Sequence, residues 1–155
     1  MEIKILSRTA MESSLKHEMF NNTAIISFYD PPSSARRGYT PLVPIDFSSS
    51  HARVFLVAAH DLDIEALSLF SLTKDTYLPE AKALATFIKR AVRDGLSLVC
   101  QCEYGQSRSA ACAAAILQYY ENRGIDIFAD YRYYPNQLVF NKVLDALRNH
   151  PNERA

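Results

Sequence analysis

The chain has 155 residues, 48% of them hydrophobic, and its 17 lysines and arginines balance 17 aspartates and glutamates. That length and apolar content fit one domain, residues 1–155, with a sizeable core, and leave too little for two comfortable ones. A formal net charge of zero excludes a general field pulling the protein toward nucleic acid or a membrane surface, so any attraction for anions has to be local.

Three cysteines, Cys100, Cys102 and Cys112, are too few and too clustered for the disulfide framework of a small secreted domain. Met1 to Leu6 alternates like a strand rather than a signal peptide, and no apolar run approaches bilayer length. The expectation is a cytoplasmic monomer without nucleic-acid or membrane partners.

In chain order, Glu2–Leu6 reads as a first strand, and Thr9-Ala10-Met11-Glu12 has capping-box form ahead of a helix with Met11, Leu15 and Met19 on its apolar side, ending at Asn21-Asn22. Thr23–Phe28 is a continuous β-branched and aromatic run, the pattern of a strand buried on both faces, stopped by Asp30-Pro31-Pro32. Pro31 to Ser50 is an irregular connection carrying Arg36-Arg37, an arginine pair read as a solvated surface feature. Arg53–His60 is a further buried strand that delivers Asp61-Leu62-Asp63 at its carboxyl end, and Glu65 to Thr76 has no clear form.

Pro79 is placed in the first turn of a helix with Leu84, Phe87, Ile88, Ala91 and Val92 at helical spacing, closed by Asp94-Gly95. Leu96–Cys100 is the next strand. Ser107–Asn122, alanine-rich and without proline or glycine, is a helix stopped at Arg123-Gly124 and lying close to the sheet. An aromatic loop, Tyr131–Asn136, leads into a last helix with Leu138, Val143, Leu144 and Leu147 in the core, ending at His150-Pro151. Strands alternating with helices predict an α/β fold: a mainly parallel central sheet of four to five strands with helices on both faces.

Such sheets bind ligands at the carboxyl ends of their strands. Two sequence signals converge there: Asp61 and Asp63 after one strand, and Cys102 after another, with five residues between Cys102 and Arg108. The amides of Glu103, Tyr104, Gly105, Gln106 and Ser107, together with those opening the next helix, form an anion cradle, because several donors aim inward and the helix dipole adds partial positive charge. Gly105 lets the backbone turn. Arg108 supplies a planar fork for two phosphate oxygens, and the positive surroundings favour the thiolate of Cys102.

Cys102 to Ser109 resembles the signature loop of the cysteine-based protein tyrosine phosphatases, most closely the compact dual-specificity branch of bacterial type. The resemblance covers roughly Val54 to Arg148 and extends to the order of Asp-Leu-Asp, helix, loop, helix and Tyr134-Pro135-Asn136. It implies a protein-tyrosine or dual-specificity phosphatase hydrolysing phosphate monoesters, with a phosphorylated protein or small phosphate ester as substrate and no cofactor. Cys102 would be the nucleophile, Arg108 and the loop amides would hold the phosphoryl group, and Ser109 would stabilise the departing thiolate. Asp61, coming directly off its strand, is preferred as the general acid, with Asp63 the alternative and Asp75 a third carboxylate upstream. Asn136 is expected near the site if its loop folds back, although helix capping explains it equally.

Two departures from the family pattern stand out: Gln101 occupies the usual histidine position, and Glu103 and Tyr104 lie in the loop. Three other readings have a sequence basis: a catalytically impaired phosphate-binding module, a sulfurtransferase and an arsenate reductase, the last two because they also place a cysteine in an anion loop. A metal site is disfavoured, because Cys100-Gln101-Cys102 lacks the usual two-residue gap and no histidine pair accompanies it. Ser107 lacks the glycine-flanked setting of a serine-hydrolase elbow, and His60, Cys100 and Cys112 read as structural.

Overall fold

The computed structural model describes residues 1–31 and 43–150, so Arg36-Arg37 and Pro151 lie outside the described residues. Four strands, β1 (Ile3–Leu6), β2 (Thr23–Tyr29), β3 (Arg53–Ala58) and β4 (Ser97–Gln101), form one all-parallel sheet in the order β1-β4-β2-β3. The helices are α1 (Arg8–His17), α2 (Ala81–Arg93), α3 (Arg108–Glu121), the short α4 (Ile125–Phe128) and α5 (Gln137–Asn149), with a 3-10 helix at Ile64–Phe70.

Alternation along the central strands distributes the core between the two faces of the sheet. Ile25 and Val99 point to one face, where they meet Met11 of α1 together with Phe20, Ile45 and Phe47. Ala24, Ile26, Phe28, Leu98 and Cys100 point to the other face, which α2, α3 and α5 cover. Residues Arg108 through Ile116 of α3 are all buried, which only a helix made largely of alanine permits, since small side chains let neighbours approach from every side.

The β-branched and aromatic run of β2 does correspond to a strand buried between two neighbours. β3 does not: it is the edge strand, with Leu56 44% exposed and only Val57 fully buried. Several element ends also differ from the sequence expectation. The cap of α1 is Ser7, whose hydroxyl accepts from the Ala10 amide at 3.1 Å, rather than Thr9, and the helix stops at His17, leaving Met19 exposed. α2 begins after Pro79, because Leu78 adopts a left-handed conformation and the chain turns there before the helix starts. α3 ends at Asn122, itself left-handed, so Gly124 opens α4 instead of closing α3. Glu65 to Thr76, without clear form in the sequence, opens with most of the 3-10 helix, capped by Asp63 through the Ala66 amide at 3.0 Å.

The loop after β4 is braced by the corner between β1 and α1. The Cys102 amide donates to the Leu6 carbonyl at 3.3 Å and the Arg8 amide donates to the Glu103 carbonyl at 3.1 Å. Gly105, at φ +67°, lies so close to this corner that a Cβ would sit 2.6 Å from the Ser7 nitrogen and 2.8 Å from the Leu6 carbonyl carbon. Both obstacles are backbone, and the left-handed conformation adds strain for any other residue. Gly105→Ala should therefore destabilise the protein by about 2 kcal/mol or more, seen as a lowered thermal midpoint; an unchanged midpoint would show that the corner yields freely.

Candidate active site

β4 ends at Gln101, and the chain turns into the loop 102–107 before α3 begins at Arg108. Among the described residues, the amides of Glu103, Tyr104, Gly105, Gln106 and Ser107 donate no hydrogen bond, so the loop presents unpaired donors next to the amino terminus of a 14-residue helix. Cys102 is 3% exposed, with its Sγ 3.0 Å from the Oγ of the fully buried Ser109 on the first turn of α3.

Arg108 is 4% exposed. Its Nη1 donates to Asp30 Oδ1 at 2.8 Å and to the Ala59 carbonyl at 2.7 Å, which pins one edge of the guanidinium to the carboxyl ends of β2 and β3. Its Nε is buried and has no hydrogen-bond partner among the described residues. A buried unpaired donor on a charged group is costly unless something accepts from it, so the Nε edge of the fork is suited to a bidentate oxyanion.

The two aspartates after β3 are engaged differently. Asp61 Oδ1 accepts from Ser107 Oγ at 2.7 Å and from Asn136 Nδ2 at 2.8 Å, which ties the carboxylate to the last residue of the loop. Asp63 spends one carboxylate oxygen capping the 3-10 helix. Asn136 does two jobs at once: its Oδ1 caps α5 through the Val139 amide at 2.9 Å, and its Nδ2 also donates to the Leu62 carbonyl at 2.8 Å. The segment before α5 is stitched to the loop by the Tyr134 amide donating to the Gln106 carbonyl at 2.9 Å and the Asn136 amide donating to the Ser107 carbonyl at 3.2 Å. The backbone carbonyls of Lys74 and Asp75, by contrast, are held by Lys142 of α5, and Asp75 joins none of the contacts around the loop.

Gln101 is buried on β4, where its Oε1 accepts from Ser27 Oγ of β2 and its Nε2 donates to the Cys102 carbonyl at 2.9 Å. It holds the base of the loop with a group that does not titrate. Glu103 lines a cavity of about 10 Å³ on the β2 side, room for about one water, together with Arg8, Asp30 and Arg108, whereas the Tyr104 ring is 78% exposed. His60 stacks on Phe70 with ring centroids 4.7 Å apart. Burial holds its imidazole below the usual value, with Asp30 pulling it up and Arg108 pushing it down. The buried Tyr77 hydroxyl donates to the His60 carbonyl at 2.6 Å, and desolvation pushes its phenol well above its ordinary range, which keeps it a donor.

Cys100 and Cys112 are free thiols with no exposed surface, and a hydrogen bond to Cys100 together with burial pushes the Cys112 thiol up. Among the described residues no three histidine, cysteine, aspartate or glutamate side chains gather as a metal site would require, and no helix is long and apolar enough to cross a membrane.

Asp30 is the site residue that sequence reasoning missed. Its signal was present: it stands at the carboxyl end of a strand, the same criterion that singled out Asp61, but the following prolines made it read as a strand terminator.

Neither a protein-family model nor a curated protein matches the sequence. Solved structures do match the fold. Human DUSP28 superposes with a TM-score of 0.56 at 15% identity, covering 95% of this chain and 92% of its own. Tk-PTP in its active form gives 0.59 at 13% identity, covering 96% and 91%. PTPMT1 in complex with PI(5)P gives 0.56 at 11% identity, with 96% and 91% covered. The chain thus has the fold of these solved structures, here built as a parallel sheet in the order β1-β4-β2-β3 with helices on both faces.

Proposed function

We propose that the protein is a phosphatase of the dual-specificity type, hydrolysing phosphate monoesters through a cysteinyl-phosphate. The observation that carries this reading is Arg108: a buried guanidinium pinned along one edge by Asp30 and Ala59, with an unpartnered Nε, beside a loop of undonated amides and a buried thiol. Four features of a phosphoryl-transfer site come from one stretch of chain, and the phosphatase fold supports their common use.

In the first step Cys102 Sγ attacks phosphorus in line with the ester oxygen. The S–P bond forms as the P–O bond breaks, and Asp61 delivers a proton to the leaving oxygen. Both hydrogen bonds to Asp61 go to Oδ1, which leaves Oδ2 for this transfer. In the second step water attacks phosphorus, Asp61 takes its proton, and the S–P bond breaks. Ser109 then donates to the thiolate from its position 3.0 Å away, which steadies the charge as it returns to sulfur.

Turnover of para-nitrophenyl phosphate in the presence of a chelator tests the reaction class. Asp61→Asn tests the acid: phosphotyrosine turnover should fall about 100-fold, while an aryl phosphate with a strongly acidic phenol, which leaves without a proton, should fall much less. Equal losses on both esters would remove Asp61 from the role, and the leaving-group signature in Asp63→Asn would transfer it there.

A further inference from the structure

Next to the anion loop runs a cleft of about 450 Å³, bounded by Asp61, Asp63 and Glu65 on one side and by Ser107, Pro135 and Asn136 on the other. It shares Ser107 with the loop, so whatever holds its phosphate against Arg108 places its neighbouring atoms in this cleft. The cleft is larger than a monoester needs and continues past Gln137 and Leu138 along the start of α5, which suits a chain rather than a small ester.

Among the described residues its lining contains three carboxylates and no lysine or arginine. Asp61 and Asp63 have hydrogen-bond roles, but Glu65 is exposed and makes no hydrogen bond among the described residues. The carboxylates of this wall attract a cation. The positive charge of Arg108 is already buried against Asp30 at the floor and does not offset the carboxylates along the wall.

We propose that this cleft selects phosphotyrosyl peptides with lysine or arginine beside the phosphorylated residue, and disfavours polyanionic esters such as phosphoinositides; the inference rests on the phosphatase reading above. The single phosphate is drawn to Arg108 and the loop amides, while the flanking cation meets Glu65 and Asp63. A second phosphate in place of that cation meets carboxylates instead.

The experiment compares kcat/KM for paired phosphotyrosyl peptides differing only in lysine or glutamate at the flanking positions, alongside para-nitrophenyl phosphate and a phosphoinositide in neutral vesicles. The lysine peptide should lead by about fivefold or more at low ionic strength, shrinking toward parity in about 0.5 M salt. Glu65→Lys should reduce that ratio below about twofold and leave para-nitrophenyl phosphate within about twofold of wild type, with Glu65→Gln in between. Parity between the peptides at low salt, a ratio unmoved by Glu65→Lys, or preference for the phosphoinositide overturns the proposal. Affinities of the Cys102→Ser variant for the same peptides separate the two readings. A lysine preference in binding without any wild-type turnover overturns the phosphatase reading and keeps the charge selection. Turnover with equal affinities does the reverse.

Discussion

Cys102→Ser should lower turnover of an aryl phosphate by more than about 10³-fold while leaving phosphate binding intact. The substitution exchanges sulfur for oxygen at a side chain that is 3% exposed and disturbs nothing else in the cradle: the loop amides, Arg108 and its anchors are all backbone or remote side-chain groups. What is lost is a polarisable sulfur nucleophile. A serine hydroxyl in the same place has no neighbouring base to take its proton, since its nearest polar partner is the Ser109 hydroxyl. Steady-state kinetics on para-nitrophenyl phosphate, paired with calorimetric titration of inorganic phosphate or vanadate, reads both halves of the expectation. Wild-type turnover in the variant would end the covalent mechanism, and loss of anion binding together with turnover would show that Cys102 shapes the cradle rather than reacting in it.

The parts of this fold legible in the sequence are those where one physical signal dominates. β2 announced itself because a strand with neighbours on both sides and helices over both faces tolerates apolar residues at every position. β3 carries a similar run, yet stands at the edge, because its neighbours are set by topology and not by its own composition. The position of the loop was legible because an apolar run, a short polar stretch with a glycine and an alanine-rich run follow one another, and residues 102–107 do lie between β4 and α3. Gln101 was legible as a departure but not in its consequence. Only the pairing of Ser27 with Gln101 across β2 and β4 shows that the amide bonds sideways to a hydroxyl and forward to the Cys102 carbonyl, fastening the loop to the sheet. Nor does the sequence separate Asp61 from Asp63 by type. The distinction comes from where the chain goes next: Asp63 starts a 3-10 helix and caps it, whereas Asp61 faces Ser107 and Asn136, residues far away in sequence.

The other large effect is expected at Arg108. Arg108→Lys should reduce kcat/KM for para-nitrophenyl phosphate by about 10³-fold, most of it in kcat, because the planar fork orients and stabilises the charge spread over the equatorial oxygens of the transferring phosphoryl group in the transition state. Arginine can serve two masters through its planar fork: Nη1 is committed to Asp30 and the Ala59 carbonyl, and Nε remains for the oxyanion. A lysine ammonium is a single point. Seated against Asp30 it leaves the phosphate, and drawn to the phosphate it gives up the Asp30 carboxylate. The same geometry predicts a graded response at Asp30. Asp30→Asn keeps an acceptor for Nη1 but removes the charge that fixes the guanidinium, so its loss should be near tenfold and should appear chiefly as altered phosphate affinity. In the double variant the two losses should add less than fully, since Asp30 holds the Arg108 guanidinium in place; a double-mutant cycle on kcat/KM measures this. Additive losses would show that Asp30 acts independently of the arginine, and a lysine variant within tenfold of wild type would show that the fork is not what holds the phosphoryl group.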